Sequence, residues 1–135
     1  MTVRYLLDTN ICIYIAKHNP PAVCERFSRH TADELAISVV TLGELRFGAE
    51  KSQSRERALA VIAQLEAMMQ IAPLVEAVGK HYGQIRATLQ QHGEIIGNND
   101  LWLAAHARAK GWILVTNNER EFVRVKGLQI ENWAV

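Results

Sequence analysis

The chain has 135 residues, 49% of them hydrophobic, and carries a formal net charge of +1. That length and apolar content suit one compact domain with a real core. The near-zero charge excludes a global basic field, so any nucleic-acid contact has to come from a local patch. The two cysteines, Cys12 and Cys24, form no C-x-x-C pair and have no metal-site spacing, which fits reduced thiols of a cytoplasmic protein. The N-terminal apolar stretch stops at Asp8, too short for a signal peptide, and no run approaches membrane-spanning length.

In chain order, Tyr5 to Leu7 predicts a first strand, followed by a helix from Ile11 to Lys17. Pro20-Pro21 opens a second helix to about Arg29, proline being well suited to a first turn. Leu35 to Ser38 reads as a second strand and Thr41 to Lys51 as a helix. From Arg55 to Gln70, residues Ala58, Leu59, Ile62, Leu65 and Met69 share one helical face. Beyond Pro73, Val75, Val78, Tyr82, Ile85 and Leu89 repeat that period up to Gly93. A helix opened by Asp100 ends at Gly111. Trp112 to Thr116 predicts a strongly apolar strand, and Leu128 to Trp133 supplies the last one. Strand–helix alternation of this kind predicts an α/β fold: a central, mostly parallel sheet with helices on both faces, residues 1 to 135 forming one domain.

Three carboxylates stand where such a fold gathers its chemistry, beyond the carboxyl ends of the strands. Asp8 closes the first strand, Glu44 follows the second, and Asp100 opens a late helix. A carboxylate in an apolar neighbourhood is costly unless paired or metal-bound. If the fold brings the three together, they form an oxygen-rich pocket for a divalent cation. Each also has a bland reading. Thr41-x-x-Glu44 matches a capping box, Asp8 can cap the helix that starts near Asn10, and Asp100 can complement a helix dipole. The five histidines show no metal-binding pair, and His106 reads as a packed helix residue. No phosphate-binding glycine loop and no G-x-S-x-G elbow is present. Arg46, Lys51, Arg55 and Arg57 form one basic group, and Arg120, Arg124 and Lys126 a second; a solvated face is the default for both.

Leu7-Asp8-Thr9-Asn10-Ile11-Cys12-Ile13-Tyr14 resembles the opening of PIN-domain proteins, in particular VapC-type toxins of bacterial toxin–antitoxin pairs. The resemblance continues through Thr41-Leu42-Gly43-Glu44-Leu45-Arg46-Phe47-Gly48, His81-Tyr82-Gly83-Gln84-Ile85-Arg86 and Ile96-Gly97-Asn98-Asn99-Asp100-Leu101. It ends in Leu114-Val115-Thr116-Asn117-Asn118-Glu119-Arg120-Glu121-Phe122 and Gly127 to Trp133, so it spans nearly the whole chain. It implies a PIN-like domain acting as an endoribonuclease dependent on Mg²⁺, with Mn²⁺ as a substitute. It also implies a tRNA substrate, initiator tRNA first, a VapB-type antitoxin, and a homodimer. The family's three principal acids map onto Asp8, Glu44 and Asp100. Many PIN domains carry a fourth acid where this chain has Asn118, which leaves Glu121 as a displaced substitute. Thr9, Thr116 and Asn118 would position ligands or phosphate. Two rivals are a catalytically silent binding module and phosphoryl transfer by Asp8 as nucleophile. The latter lacks a second aspartate two residues on, where Asn10 stands.

Overall fold

The computed structural model describes residues 2 to 135. Its centre is strand β1 (Tyr5–Leu7), buried on both faces, as the unbroken apolar run Tyr-Leu-Leu requires of a central parallel strand. Four further strands complete the sheet: β2 (Leu35–Ser38), β3 (Gln70–Ala72), β4 (Ile113–Val115) and β5 (Ile130–Glu131). Their order is β3-β2-β1-β4-β5, and every pairing is parallel. The expected sheet is therefore present and fully parallel, with one more strand than the sequence predicted. The helix expected from Arg55 to Gln70 stops at Met68, and Gln70–Ala72, of which only Gln70 had been given an element, forms an edge strand.

Seven helices cover the sheet. They are α1 (Thr9–Lys17), α2 (Pro21–Ser28), α3 (Val39–Glu50), α4 (Arg55–Met68), α5 (Glu76–Gln91), α6 (Asn98–Lys110) and the short α7 (Glu119–Phe122). Pro21 occupies a first-turn position of α2, and Gly111 ends α6 in the left-handed conformation at φ 70°. Two apolar clusters flank the sheet. One joins Leu6, Ala36 and Leu114 to α5, α6 and Phe122; the other joins Leu7, Ile37 and Val115 to α1, α2 and α4. Helices thus lie on both faces. No helix among the described residues is long and apolar enough to cross a membrane.

The C-terminal segment is fastened by Trp133, which is fully buried. Its ring stacks on His30 (centroids 5.3 Å apart) and meets Tyr5 edge-on at 5.4 Å. Its Nε1 donates to Glu131 Oε1 at 2.9 Å, an oxygen that also accepts from Arg26 at 3.0 Å. Trp133→Phe keeps most of the packing and removes one donor, so unfolding in urea should show a loss of about 1–2 kcal/mol. Unchanged stability would mean that the indole bond contributes nothing.

Candidate metal centre

Strand order places the site. The chain leaves β1 through Asp8 into α1, on one face of the sheet. It leaves the adjacent β4 through Thr116 and Asn118 into α7, whose Phe122 packs on the other face. Neighbouring strands whose exits diverge open a crevice at their carboxyl ends. Asp8 stands there, 5% exposed, in a backbone bonded to β4 through its amide and Val115 O at 3.0 Å. Its Oδ1 also accepts from the Ile11 amide at 2.9 Å, capping α1. The capping reading of Asp8 is therefore met, by a side chain that also stands at the crevice.

Glu44 reaches the crevice from α3, but not as a capping residue. That helix begins at Val39, and the Ser38 hydroxyl caps it by accepting from the Val40 amide at 3.1 Å. Thr41 is a fully buried residue inside the helix, so the capping-box reading of Thr41-x-x-Glu44 is wrong and Glu44 lies in the second turn. Freed from the cap, the Glu44 carboxylate accepts from the Thr9 hydroxyl at 2.7 Å, which in turn lies 3.4 Å from Thr41 Oγ1. Asp100 sits in the first turn of α6. Asn118, at the position of the missing acid, donates through Nδ2 to Glu121 Oε2 at 3.0 Å, while its amide donates to Thr116 Oγ1 at 2.9 Å. Asn117, which sequence reasoning passed over, ties this loop to α1 by donating to the Tyr14 hydroxyl at 2.7 Å.

Electrostatics show which carboxylates share the crevice. Asp100 is pushed up to about 6, first by burial, then by the charges of Glu121, Asp8 and Glu44. Asp8 is also raised, chiefly by burial; hydrogen bonding from the Thr116 side chain and the Ile11 amide opposes this, and the Glu44 charge adds to it. Glu121 thus acts on Asp100 more strongly than either of the other acids. Among the described residues, no three His, Cys, Asp or Glu side chains are drawn together closely enough to hold an ion as they stand. Like charges in a partly dry crevice repel, and the two glutamates rest on neutral donors, Thr9 and Asn118. The donor set itself is all oxygen, the chemistry of a hard divalent cation, and a cation would offset both the burial that chiefly raises the two aspartates and the like charges that add to it. The residues fit such an ion.

The basic groups behave as solvated faces. Arg46 pairs with Glu66 and Arg55 with Glu50, while Arg124 donates to the carbonyls of Glu94 and Ile95. Cys12 and Cys24 are free thiols, the first buried.

Acidic side chains at the carboxyl-end crevice of a parallel sheet place the chain among the α/β proteins whose chemistry gathers at that edge. The PIN domain profile matches residues 5–128, and the chain belongs to the PIN-domain family, in its VapC branch. PIN-domain nucleases depend on divalent metal. The chain is 47% identical over 132 residues to the tRNA(fMet)-specific endonuclease VapC of Shigella flexneri, covering 98% of this chain and 99% of that one. It is 44% identical over 131 residues to Ribonuclease VapC2 of Haemophilus influenzae, covering 97% and 98%. The crystal structure of DNA-bound VapBC from Salmonella typhimurium superposes with a TM-score of 0.92 at 40% identity, covering 98% of this chain and 99% of that one.

Proposed function

We propose that residues 1 to 135 form one ribonuclease unit, the toxin of a toxin–antitoxin pair. It hydrolyses phosphodiesters in tRNA, initiator tRNA first, with Mg²⁺ as the resident ion and Mn²⁺ as a substitute. It works in the cytoplasm as a homodimer and is silenced by a VapB-type antitoxin. The observation that carries this reading is the placement of Asp100 within reach of the charges of Glu121, Asp8 and Glu44 at the β1/β4 crevice.

Asp8 and Asp100 hold the cation most directly, and Glu44 completes the set, directly or through water. When bound, the ion supplies activation of the attacking water and neutralises charge gathering on the phosphate. Thr9 orients the Glu44 carboxylate by its hydrogen bond, and Thr116 keeps the Asp8 carboxylate aimed into the crevice. Asn118 holds Glu121 beside Asp100, so Glu121 stands in for the acid that the loop lacks. Water attack leaves a 5′-phosphate and a 3′-hydroxyl.

The test is cleavage of total RNA by the purified protein, with and without Mg²⁺, followed by chemical mapping of the ends. A substrate with hydrogen in place of the scissile 2′-hydroxyl should still be cut. Cyclic phosphate ends would overturn the water mechanism.

The displaced acid makes its own prediction. Affinity for hard cations tracks the number of ligand charges. Glu121→Gln should weaken Mn²⁺ binding by about tenfold, and Asn118→Asp should strengthen it by a similar factor, both read by calorimetry. A silent Glu121→Gln would remove Glu121 from the site.

A further inference from the structure

Ser38 and His106 are both fully buried, 68 residues apart in sequence, and His106 Nδ1 stands 2.9 Å from Ser38 Oγ. The same serine oxygen caps α3 through the Val40 amide. The other ring nitrogen, His106 Nε2, is buried without a hydrogen-bond partner among the described residues. A dry, unpaired ring nitrogen is costly, and an apolar side chain of similar size would fill the space without that cost. What the imidazole adds is a directional bond between two helices. One carries Asp100, the other Glu44. Ser38 precedes Glu44 by six residues and His106 follows Asp100 by six, so each partner lies about 9 Å along its helix from the carboxylate. In the turn around His106, helix α6 buries the small side chains Ala104, Ala105 and Ala107, while its larger contacts, Leu101, Leu103 and the Trp102–Tyr82 stack, lie in the turn nearer Asp100.

We infer that the Ser38–His106 hydrogen bond is a positioning strut that fixes the rotation of α6 against the start of α3, and so holds Asp100 in register with Asp8 and Glu44 for the cation. A side-chain tip lies roughly 5–6 Å from a helix axis, so a 10° rotation displaces it by about 1 Å. The alanine contacts beside His106 tolerate such a shift and leave Leu101, Leu103 and the hydrogen bond to resist it, whereas Mg²⁺ demands oxygens near 2.0–2.1 Å in almost ideal geometry. His106 touches neither ion nor RNA; it acts through Asp100. This inference rests on the cation-site reading of Asp8, Glu44 and Asp100.

The experiment measures Mn²⁺ binding by calorimetry in the RNA-free protein, with thermal midpoint and RNA cleavage recorded alongside. Asparagine places its amide where Nδ1 stands; glutamine reaches instead toward the Nε2 position. His106→Phe and His106→Gln should each weaken Mn²⁺ binding by about tenfold, as loss of a partner behind a ligand does. His106→Asn should restore it, and KM for RNA at saturating Mn²⁺ should stay unchanged in all three. Ser38→Ala should cost the same tenfold, and adding His106→Phe to it should cost nothing more. A bond that only stabilised the fold would lower the thermal midpoint and leave Mn²⁺ affinity untouched. The strut is overturned if folded His106→Phe binds Mn²⁺ like the parent, or if asparagine is no better than glutamine. Should His106→Phe not fold, parental affinity in Ser38→Ala overturns it. Asp100→Asn serves as the control: if that variant also binds Mn²⁺ like the parent, the cation-site reading has failed instead.

Discussion

Replacing Asp100 by asparagine is expected to cut RNA hydrolysis by on the order of a thousandfold while making the metal-free protein more stable. The first effect follows from the removal of a charge that holds the ion. Partners lying behind a metal ligand already cost about 10–100-fold when lost, so a direct ligand should cost more. The second effect has the opposite sign because Asp100 is a strained ionisation. Its carboxyl titrates near 6 in the folded protein against 3.8 when unperturbed. The folded state therefore binds the proton more tightly than the unfolded one. Ionising Asp100 costs stability as pH rises from about 4 through about 6, and the full penalty is present above that. At pH 7.5 the penalty is about 1–3 kcal/mol, and the asparagine variant escapes it. In EDTA the parent should gain stability as pH falls from 7 toward 5, and the variant should show a flatter profile. Protons also compete with the ion: Mn²⁺ affinity of the parent should fall about tenfold for each pH unit below 6. Asp100→Asn cleaving RNA at the parental rate, or melting lower than the parent in EDTA at pH 7.5, would sink the assignment.

The position of Asp8 was readable from sequence because an acid directly closes a short apolar run, and the capping role offered for it there is the one its side chain fills on α1. The strand end at Leu7 was equally readable as the close of an apolar run before a polar residue, and the end at Ser38 was placed correctly, whereas the late strand expected over Trp112 to Thr116 runs only from Ile113 to Val115. Glu44 was expected in the first turn of its helix and lies in the second. Val39 and Val40 are β-branched and look like more strand, and Thr41-x-x-Glu44 imitates a cap, whereas the serine at the strand end does the capping. Strand β3 left no trace in the pattern. It is three residues long at the sheet edge, only Ala72 is buried, and Met69 extends the helical spacing of Ile62 and Leu65 right up to it. Long-range side-chain pairs leave no periodic signal either. Ser38 with His106, and Asp100 with Glu121, are joined by the topology of the sheet. The segment from Thr41 to Met69 carries more apolar residues than one buried stripe needs, a pattern that suggests a groove on α3 and α4, and the structure divides those residues differently. Ile62 and Leu65 are core residues, Phe47 projects outward at 65% exposure, and α1 supplies a wall that the sequence did not suggest.

That groove is the basis of the second large effect expected, the release of the antitoxin by Val61→Glu. A cavity of about 580 Å³ runs between α1, α3 and α4, lined by Ile13, Leu45, Val61, Ile62 and Leu65, with Thr9 and Glu44 at one edge. A second, of about 440 Å³, continues it between α1, α2 and α4, past Cys24, Phe27 and Met68, and shares Val61 and Leu65 as walls. Together they suit the apolar face of a partner helix. Because Glu44 borders the groove, a basic side chain following that helix could enter the crevice and pair with the carboxylates that otherwise hold the ion. Inhibition would then be displacement of the cation rather than mere obstruction of RNA. Val61 is half-buried and lines both cavities, so a glutamate there places an unpaired charge in the middle of the contact, where desolvation is most costly. Antitoxin affinity should drop at least about a hundredfold. Cleavage by the free variant should stay within about twofold of the parent, since surface changes away from a site rarely disturb it. Cells expressing Val61→Glu beside the antitoxin should stop growing, whereas cells expressing the parent pair should not. Hydrogen exchange of the parent complex should show protection on α1, α3 and α4, together with slower exchange near Glu44. If Val61→Glu is still bound and silenced with parental affinity, the antitoxin lies elsewhere and these two cavities have another occupant.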